Sequence, residues 1–558
     1  MILTPQSSSI NPEAATARIV IDAIAWRRVR MRLVGRFIDS AARDALGATP
    51  EFFVMNDVTG QRVTLPGVTC EGLHVVVDCN AMRLDGQNPL TAGTWSLFAC
   101  GPDADAGAAP IPVGVAGEIA VPSQVYGGDF TTDAYSYRVL PSSRPDTGQF
   151  ALDIEYQRSP RKPQPPGLAG IKRETRSLMR RLRKTVFAAT YKASRRLVRK
   201  NGRRILLTSD SRPGLSGNLE LIHTRMIERG LDRDYQLTTA FKSSIVARRP
   251  LLEKFKLPYR LATADIILLD DFHPLLYQVP FGPEVRIIQL WHASGAFKTV
   301  GYSRVGKTGG PSPFGTSHKN YTHAIVSSGH DVPFYAEAFG LPEERVVATG
   351  IPRMDLFFDE EYKTRAVESA YSAMPQLRDS RVILFAPTFR GAGPSTASYD
   401  FDRLDLPALY ELCVEQDAVF VFKMHPFVRE TIDIPEEFAD RFVDATTSRE
   451  INDLLLVADL VITDYSSLVF EYATLKRPML FFAYDLDEYV ASRDFYEEFT
   501  EFVPGKIVRT FSALLEALRT GDFDAEKVEQ FAAEHLRYLD AGSTDRVIDQ
   551  LVLGREAS

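Results

Sequence analysis

The sequence predicts an α/β protein in which two doubly wound domains follow an N-terminal antiparallel β-sandwich. Three observations support this. Short strand-like runs fill the chain to residue 158, a proline-rich and then strongly basic stretch covers 159–204, and from 205 onward continuous apolar runs alternate with helical spacing. A chain of 558 residues exceeds what one hydrophobic core organises, so several domains are expected.

Residues 1–17, MILTPQSSSINPEAATA, lack the basic and apolar regions of a signal peptide and are expected to be disordered. Over 18–158 the runs RVRMRLVGRFI, EFFVMND, LHVVVDC, TWSLFAC, SYRVL and FALDIEYQ are rich in β-branched and aromatic residues. Turn-forming stretches such as LDGQN and PSSRPDTG separate them, the pattern of an antiparallel sandwich. No catalytic constellation stands out there, so an accessory domain is expected. SPRKPQPPGLAG, 159–170, reads as a linker stiffened by proline.

Net charge is −7, yet 171–204 holds 14 Lys/Arg and one acidic residue, a local +13 that leaves −20 for the remainder. Leu178, Leu182, Val186, Phe187, Leu197 and Val198 have helix-compatible spacing with a basic opposite face. Such a helix suits an anionic membrane surface, each cation near the lipid adding about 1 kcal/mol. No nucleic-acid partner is expected. Four cysteines, Cys70, Cys79, Cys100 and Cys413, form neither a disulfide framework nor a zinc pattern and fit a reducing cytoplasm. No apolar run reaches the ~20 residues that span a bilayer.

Two strand series follow, over 205–360 and 361–558. Their short apolar runs suit parallel strands buried on both faces, the Rossmann-like arrangement in which ligands bind beyond the strands' carboxyl ends. Those ends carry Ser209 and Asp210, His292, and Ser327 and Ser328 in the first series. In the second they carry Thr388 and Arg390, Lys423 and His425, then Thr463, Asp464, Ser466 and Ser467. In LVITDYSSLVFEY a strand stops at Thr463 and a helix is expected to begin near Ser466. Free backbone N–H groups and two hydroxyls would then meet a phosphate. His425 precedes Pro426, which favours an extended backbone and a side chain at the sheet edge. His318, His323 and His330 lie near these strings with no assignable role.

Taken together, the strings SGNLELI (216–222), QLWHASGAFKTVGYSR (289–304), VSSGHDVPFYAEAFG (326–340), VVATGIPRMDLFF (346–358), ILFAPTFRG (383–391), FVFKMHP (420–426), 451–489 around LVITDYSS, FVPGKIV (502–508) and GSTDRVID (542–549) resemble the CDP-glycerol glycerophosphotransferase family of teichoic-acid and capsule polymer enzymes. The resemblance implies two GT-B-like lobes, with the acceptor side in 205–360 and the CDP-polyol side in 361–558. It makes His292 and His425 the catalytic pair. Arg390, Lys423, Thr463, Asp464, Ser466 and Ser467 become the donor phosphate site, with Gly295, Lys298, Ser328, Thr388, Glu471, Lys506 and Arg546 as further substrate contacts. Better-known members read WHG followed by Thr-Pro where this chain has His292-Ala293-Ser294-Gly295-Ala296, and they carry Asp where Glu471 stands.

The implied reaction moves glycerol phosphate or ribitol phosphate from a CDP-activated donor to a hydroxyl of a polyprenyl-linked acceptor, releasing CMP. It would take place at the cytoplasmic face of the membrane. His292 is the expected base and His425 the expected stabiliser of phosphate charge. No cofactor is expected, and Mg²⁺ is not indicated, because Asp464 lacks a second carboxylate at useful spacing. A GT-B glycosyltransferase using a nucleotide sugar is the alternative, and a non-catalytic wall-polymer scaffold is a more distant one.

Overall fold

The computed structural model describes residues 18–47, 49–86, 88–101, 110–116, 127–159, 168–244, 247–250, 252–391, 396–447 and 451–555. The expected disorder of 1–17 and the linker residues 160–167 lie outside the described residues. The chain divides into two compact units, the first comprising Met1–Arg183, Val300–Lys319 and Ala336–Leu341 and the second the remainder.

Ten strands are described in the first unit. They are β1 (Ile19–Arg27), β2 (Arg30–Phe37), β3 (Glu51–Asn56), β4 (Arg62–Thr64), β5 (Val68–Glu71), β6 (His74–Asn80), β7 (Gly93–Cys100), β8 (Ile111–Val115), β9 (Tyr135–Ser143) and β10 (Phe150–Arg158). The order is β4-β3-β7-β8-β1-β2-β6-β5, with β10 paired to both β7 and β9. Period-two alternation drives the burial. In β2, Met31, Leu33 and Phe37 are buried, whereas Arg32 and Arg36 are exposed. All pairings are antiparallel except β1 with β8, which is parallel and departs from the antiparallel expectation. Trp95, Tyr137, Phe52 and Phe150 fill the core. Tyr302 and Val305, far along the chain, join that same core.

The helix Leu168–Leu197 starts three residues inside the expected linker, as soon as Pro165, Pro166 and Gly167 are passed. Leu178, Met179 and Leu182 are exposed beside Arg180, Arg181 and Arg183, while the side chains of 171–177 lie outside the described residues. Near its end Tyr191 is buried, and its hydroxyl donates to the Pro280 carbonyl at 2.6 Å. Among the described residues no helix is long and apolar enough to cross a membrane.

The second unit holds two six-stranded parallel sheets. The first contains β11 (Arg204–Ser209), β12 (Gln236–Phe241), β13 (Ile266–Leu269), β14 (Arg286–Gln289), β15 (His323–Val326) and β16 (Val346–Ala348), ordered β12-β11-β13-β14-β15-β16. The second contains β17 (Arg381–Phe385), β18 (Ala418–Phe422), β19 (Phe442–Asp444), β20 (Leu460–Thr463), β21 (Met479–Phe482) and β22 (Lys506–Val508), ordered β19-β18-β17-β20-β21-β22. Counted within the sheet, the second order is 3-2-1-4-5-6, the doubly wound topology. The IILL of β13 and the AVFVF of β18 are buried throughout, as strands covered on both faces must be. The order in which strands are added switches side between β11 and β13 and between β17 and β20, and it is beyond the carboxyl ends at such switch points that ligands of doubly wound sheets bind.

Candidate active site

His292 follows β14 after two buried residues, Leu290 and Trp291. Trp291 has φ of 54°, a left-handed backbone that is costly for a bulky side chain. Its neighbours hold it there. The Gln289 side chain accepts from the Trp291 N–H at 2.9 Å, and the Asn218 amide donates to the Trp291 carbonyl at 2.8 Å. The turn leaves the His292 side chain 45% exposed, with Nδ1 3.7 Å from Asp271, which closes the strand beside it. Arg353 donates to the His292 carbonyl at 3.0 Å and pairs with Glu471.

The loop after His292 docks on the second sheet's helix Leu468–Ala473. Ser294 donates to Glu471 at 2.9 Å. Gly295 lies against Phe470 so closely that an added Cβ would overlap the ring, which is why this position takes glycine. Lys298 reaches the Tyr489 hydroxyl at 3.3 Å and forms an isolated bridge with Phe495. Glu471 is buried, with Ser294 and Arg353 both on its Oε1 and with Oε2 unpartnered among the described residues.

At the second sheet's reversal point, buried Asp464 accepts from the Thr388 N–H at 2.7 Å, from the Thr388 hydroxyl, and from the Tyr465 N–H at 2.6 Å. Its other oxygen meets Arg390 at 2.8 Å, and Arg390 forms a two-pronged contact with Asp485 at 2.5 and 2.8 Å. Tyr399, Tyr465, Tyr484 and Tyr489 surround the guanidinium with ring centroids 5.1–5.8 Å away. Arg390 is thus a neutralised, partly buried cation as well as a candidate phosphate ligand. The helix expected near Ser466 begins at Leu468 and has six residues. Ser466 Oγ accepts from the Leu468 N–H at 3.4 Å, and Ser466 and Ser467 remain partly exposed at its head.

His425 stands beyond β18 between the rings of Phe389 and Phe427, each with its centroid 4.7 Å away. Burial, and then the charges of Lys298 and Lys423, lower its imidazole from 6.5 to about 4. His425 is therefore uncharged at neutral pH. The unfolded chain takes up this proton near 6.5 and the folded one only near 4, so the stability His425 contributes is complete above 6.5 and is lost as pH falls. Between pH 7 and pH 5 the wild type is expected to lose about 2 kcal/mol more than H425Q. Melting curves of both proteins at the two pH values check this, and equal losses would contradict it.

The remaining candidates separate. Lys423 is buried and donates to the Thr446 carbonyl at 3.0 Å. Thr463 is buried and donates to the Ala386 carbonyl at 2.7 Å, inside the sheet. Ser328, after β15, is buried with its hydroxyl unpartnered among the described residues. Lys506 opens β22 at the sheet's amino end and pairs with Asp522, away from the crevice. Arg546 binds the Thr349 carbonyl and Asp540 and lies over Tyr538, a structural set of contacts. Sequence reading overlooked Asp271, Arg353 and Asp485. Asp271 was detectable, since it ends the run ADIILLDD and strand ends were the places to search.

The CDP-glycerol:poly(glycerophosphate) glycerophosphotransferase family matches residues 189–553. The teichoic acid ribitol-phosphate polymerase TarL of Staphylococcus aureus is 45% identical over 421 residues, covering 74% of this chain and 74% of its own length. A teichoic acid poly(ribitol-phosphate) polymerase of Bacillus spizizenii is 42% identical over 384 residues, 69% of this chain and 61% of its own. The wall teichoic acid polymerase TagF superimposes with a TM-score of 0.54 at 20% identity, over 68% of this chain and 97% of that one, a likeness of fold. The match takes in both parallel sheets, the two histidine strings and the Asp464 junction, and the chain accordingly belongs to the CDP-glycerol:poly(glycerophosphate) glycerophosphotransferase family.

Proposed function

We propose that the protein transfers ribitol phosphate from CDP-ribitol to a terminal hydroxyl of a teichoic-acid polymer carried on a polyprenyl-linked acceptor, releasing CMP. Membership of the family supports transfer of a polyol phosphate from a CDP donor, and the ribitol-phosphate polymerases at 42% and 45% identity favour ribitol over glycerol. The observation that carries the site is the docking of the His292 loop on the helix behind Asp464, through Ser294–Glu471 and Gly295–Phe470. In this reading that docking sets the proton acceptor beside the donor phosphate region. In this reading the two parallel sheets are the acceptor and donor lobes of a GT-B-like transferase, divided near 360. The N-terminal strands form a sandwich-type accessory domain.

His292, steadied by Asp271, takes the proton from the acceptor hydroxyl. The oxygen attacks the β-phosphorus, the new P–O bond forms, and the bond to the α-phosphate oxygen breaks with that electron pair leaving on CMP. Lys298, Lys423, neutral His425 and the Ser466 and Ser467 hydroxyls surround the charge that develops. Arg390 acts mainly by holding Asp464 and Asp485. Protein donors already take both Asp464 oxygens, so transfer needs no Mg²⁺ at this carboxylate.

Incubation of the purified protein with CDP-ribitol, CDP-glycerol or a UDP-sugar and a lipid-linked acceptor tests the reading. CMP release and chain growth are expected with CDP-ribitol, with or without Mg²⁺. UDP release from the UDP-sugar would overturn it. The exposed Leu178, Met179 and Leu182 beside a row of arginines further support docking of the helix Leu168–Leu197 on anionic lipid at the cytoplasmic leaflet, which raises the local concentration of acceptor. Co-sedimentation should occur with anionic vesicles and not with neutral ones; equal binding to both would count against the docking role.

A further inference from the structure

The histidine after β15, His330, and the Glu534-His535 pair that closes the helix Glu526–His535 have no part in the transfer site. They nevertheless converge. One ligand-capable atom from each of His330, Glu534 and His535 lies within 4.8 Å of the other two. His330 Nδ1 is 3.8 Å from Glu534, and His330 Nε2 is 3.0 Å from Glu497. The two imidazoles meet edge to face at 4.6 Å. His535 is only 3% exposed, and its Nδ1 has no hydrogen-bond partner among the described residues. Phe531, Phe502 and Phe470 wall its ring at 4.5, 5.0 and 5.9 Å.

A polar nitrogen left unpaired among phenylalanines costs free energy unless something binds there. The Glu497 contact has a consequence for His330. By accepting from Nε2–H, the carboxylate holds the tautomer whose lone pair is on Nδ1, the nitrogen nearer Glu534. Carboxylate-oriented imidazole is the usual support for a metal-ligating histidine.

We propose that His330, Glu534 and His535 form a binding site for a divalent transition metal of the Zn²⁺ class, with Glu497 orienting His330. Two neutral imidazoles and one carboxylate suit zinc, with water as the fourth ligand. Tetrahedral bonds of about 2.0–2.1 Å place ligand atoms roughly 3.4 Å apart, so a set that spans up to 4.8 Å must contract by up to about 1.4 Å. Glu534 can supply that movement, since its side chain is 51% exposed. The ligands come from the head of the helix Val332–Phe339, beside the first sheet, and from the helix that follows the second. Close by, the Arg537 N–H donates to the Ser327 carbonyl at 3.3 Å. The metal thus pins the two halves of the second unit behind the transfer site. This role is independent of which donor the enzyme uses.

Zn²⁺ titrated into the full-length, chelator-stripped protein, followed by calorimetry and elemental analysis, tests the site. One zinc per chain, bound at micromolar or tighter affinity and raising the melting temperature, is the expected result. E534A removes an exposed carboxylate without disturbing the core, and H330A removes a half-buried ligand. Each should weaken zinc binding about tenfold or more. Absence of saturable zinc uptake by the wild type, or unchanged affinity in both variants, would overturn the proposal.

Discussion

H292A is expected to lower the rate of CMP release by about 10²–10⁴-fold, the usual contribution of a positioned proton acceptor. Stability should hardly change, because the side chain is 45% exposed and packs mainly on Trp291, with ring centroids 4.4 Å apart. The backbone that aims it, with φ of 54° at Trp291, is fixed by Gln289 and Asn218 and survives the substitution. Steady-state CMP release alongside a melting curve separates the two effects. Activity within tenfold of wild type would remove His292 from the role of base.

D464A should act chiefly on folding, and strongly. Asp464 is 1% exposed and serves four donors from Thr388, Tyr465 and Arg390. Without it, Arg390 keeps Asp485 and the Thr388 carbonyl inside a ring of tyrosines, and a half-broken, largely buried ion pair costs about 3–5 kcal/mol. Loss of soluble protein, or a large drop in denaturant midpoint, is the expected outcome. K506A breaks an exposed pair with Asp522 and should shift stability by less than about 1 kcal/mol. Similar midpoints for the two variants would show that the Asp464 cluster is not the structural keystone of the second parallel sheet.

The loop after His292 and the helix that carries Glu471 meet in the fold. Ser294, in the loop after His292, donates to Glu471. One carboxylate oxygen of Glu471 takes both Ser294 and Arg353. Together they form one latch between residues 177 positions apart.

Much of this was readable from the chain itself. Continuous apolar runs such as IILL and AVFVF require strands buried on both faces, and so two parallel sheets with the polar residues that end each strand gathered along one edge. The first sheet's carboxyl edge carries His292, and the second's carries Thr388, His425 and Asp464. Local pattern also marked the antiparallel runs before 158 and the basic helix, because both rest on residue spacing alone.

Pairing across long separations was not readable, because any cation can suit any carboxylate until the fold brings two together. Arg390 looked like a phosphate ligand, yet Asp464 and Asp485, 74 and 95 residues away, neutralise it. Lys506 and Arg546 lie in motif strings but turn to surface and structural partners. Asp271 and Arg353 gained roles only once β13 lay beside β14 and the loop after β16 approached His292. Strand and helix periods are written into neighbouring residues. The partners of a buried charge depend on which distant segments share its low-dielectric surroundings, and only the folded chain sets that.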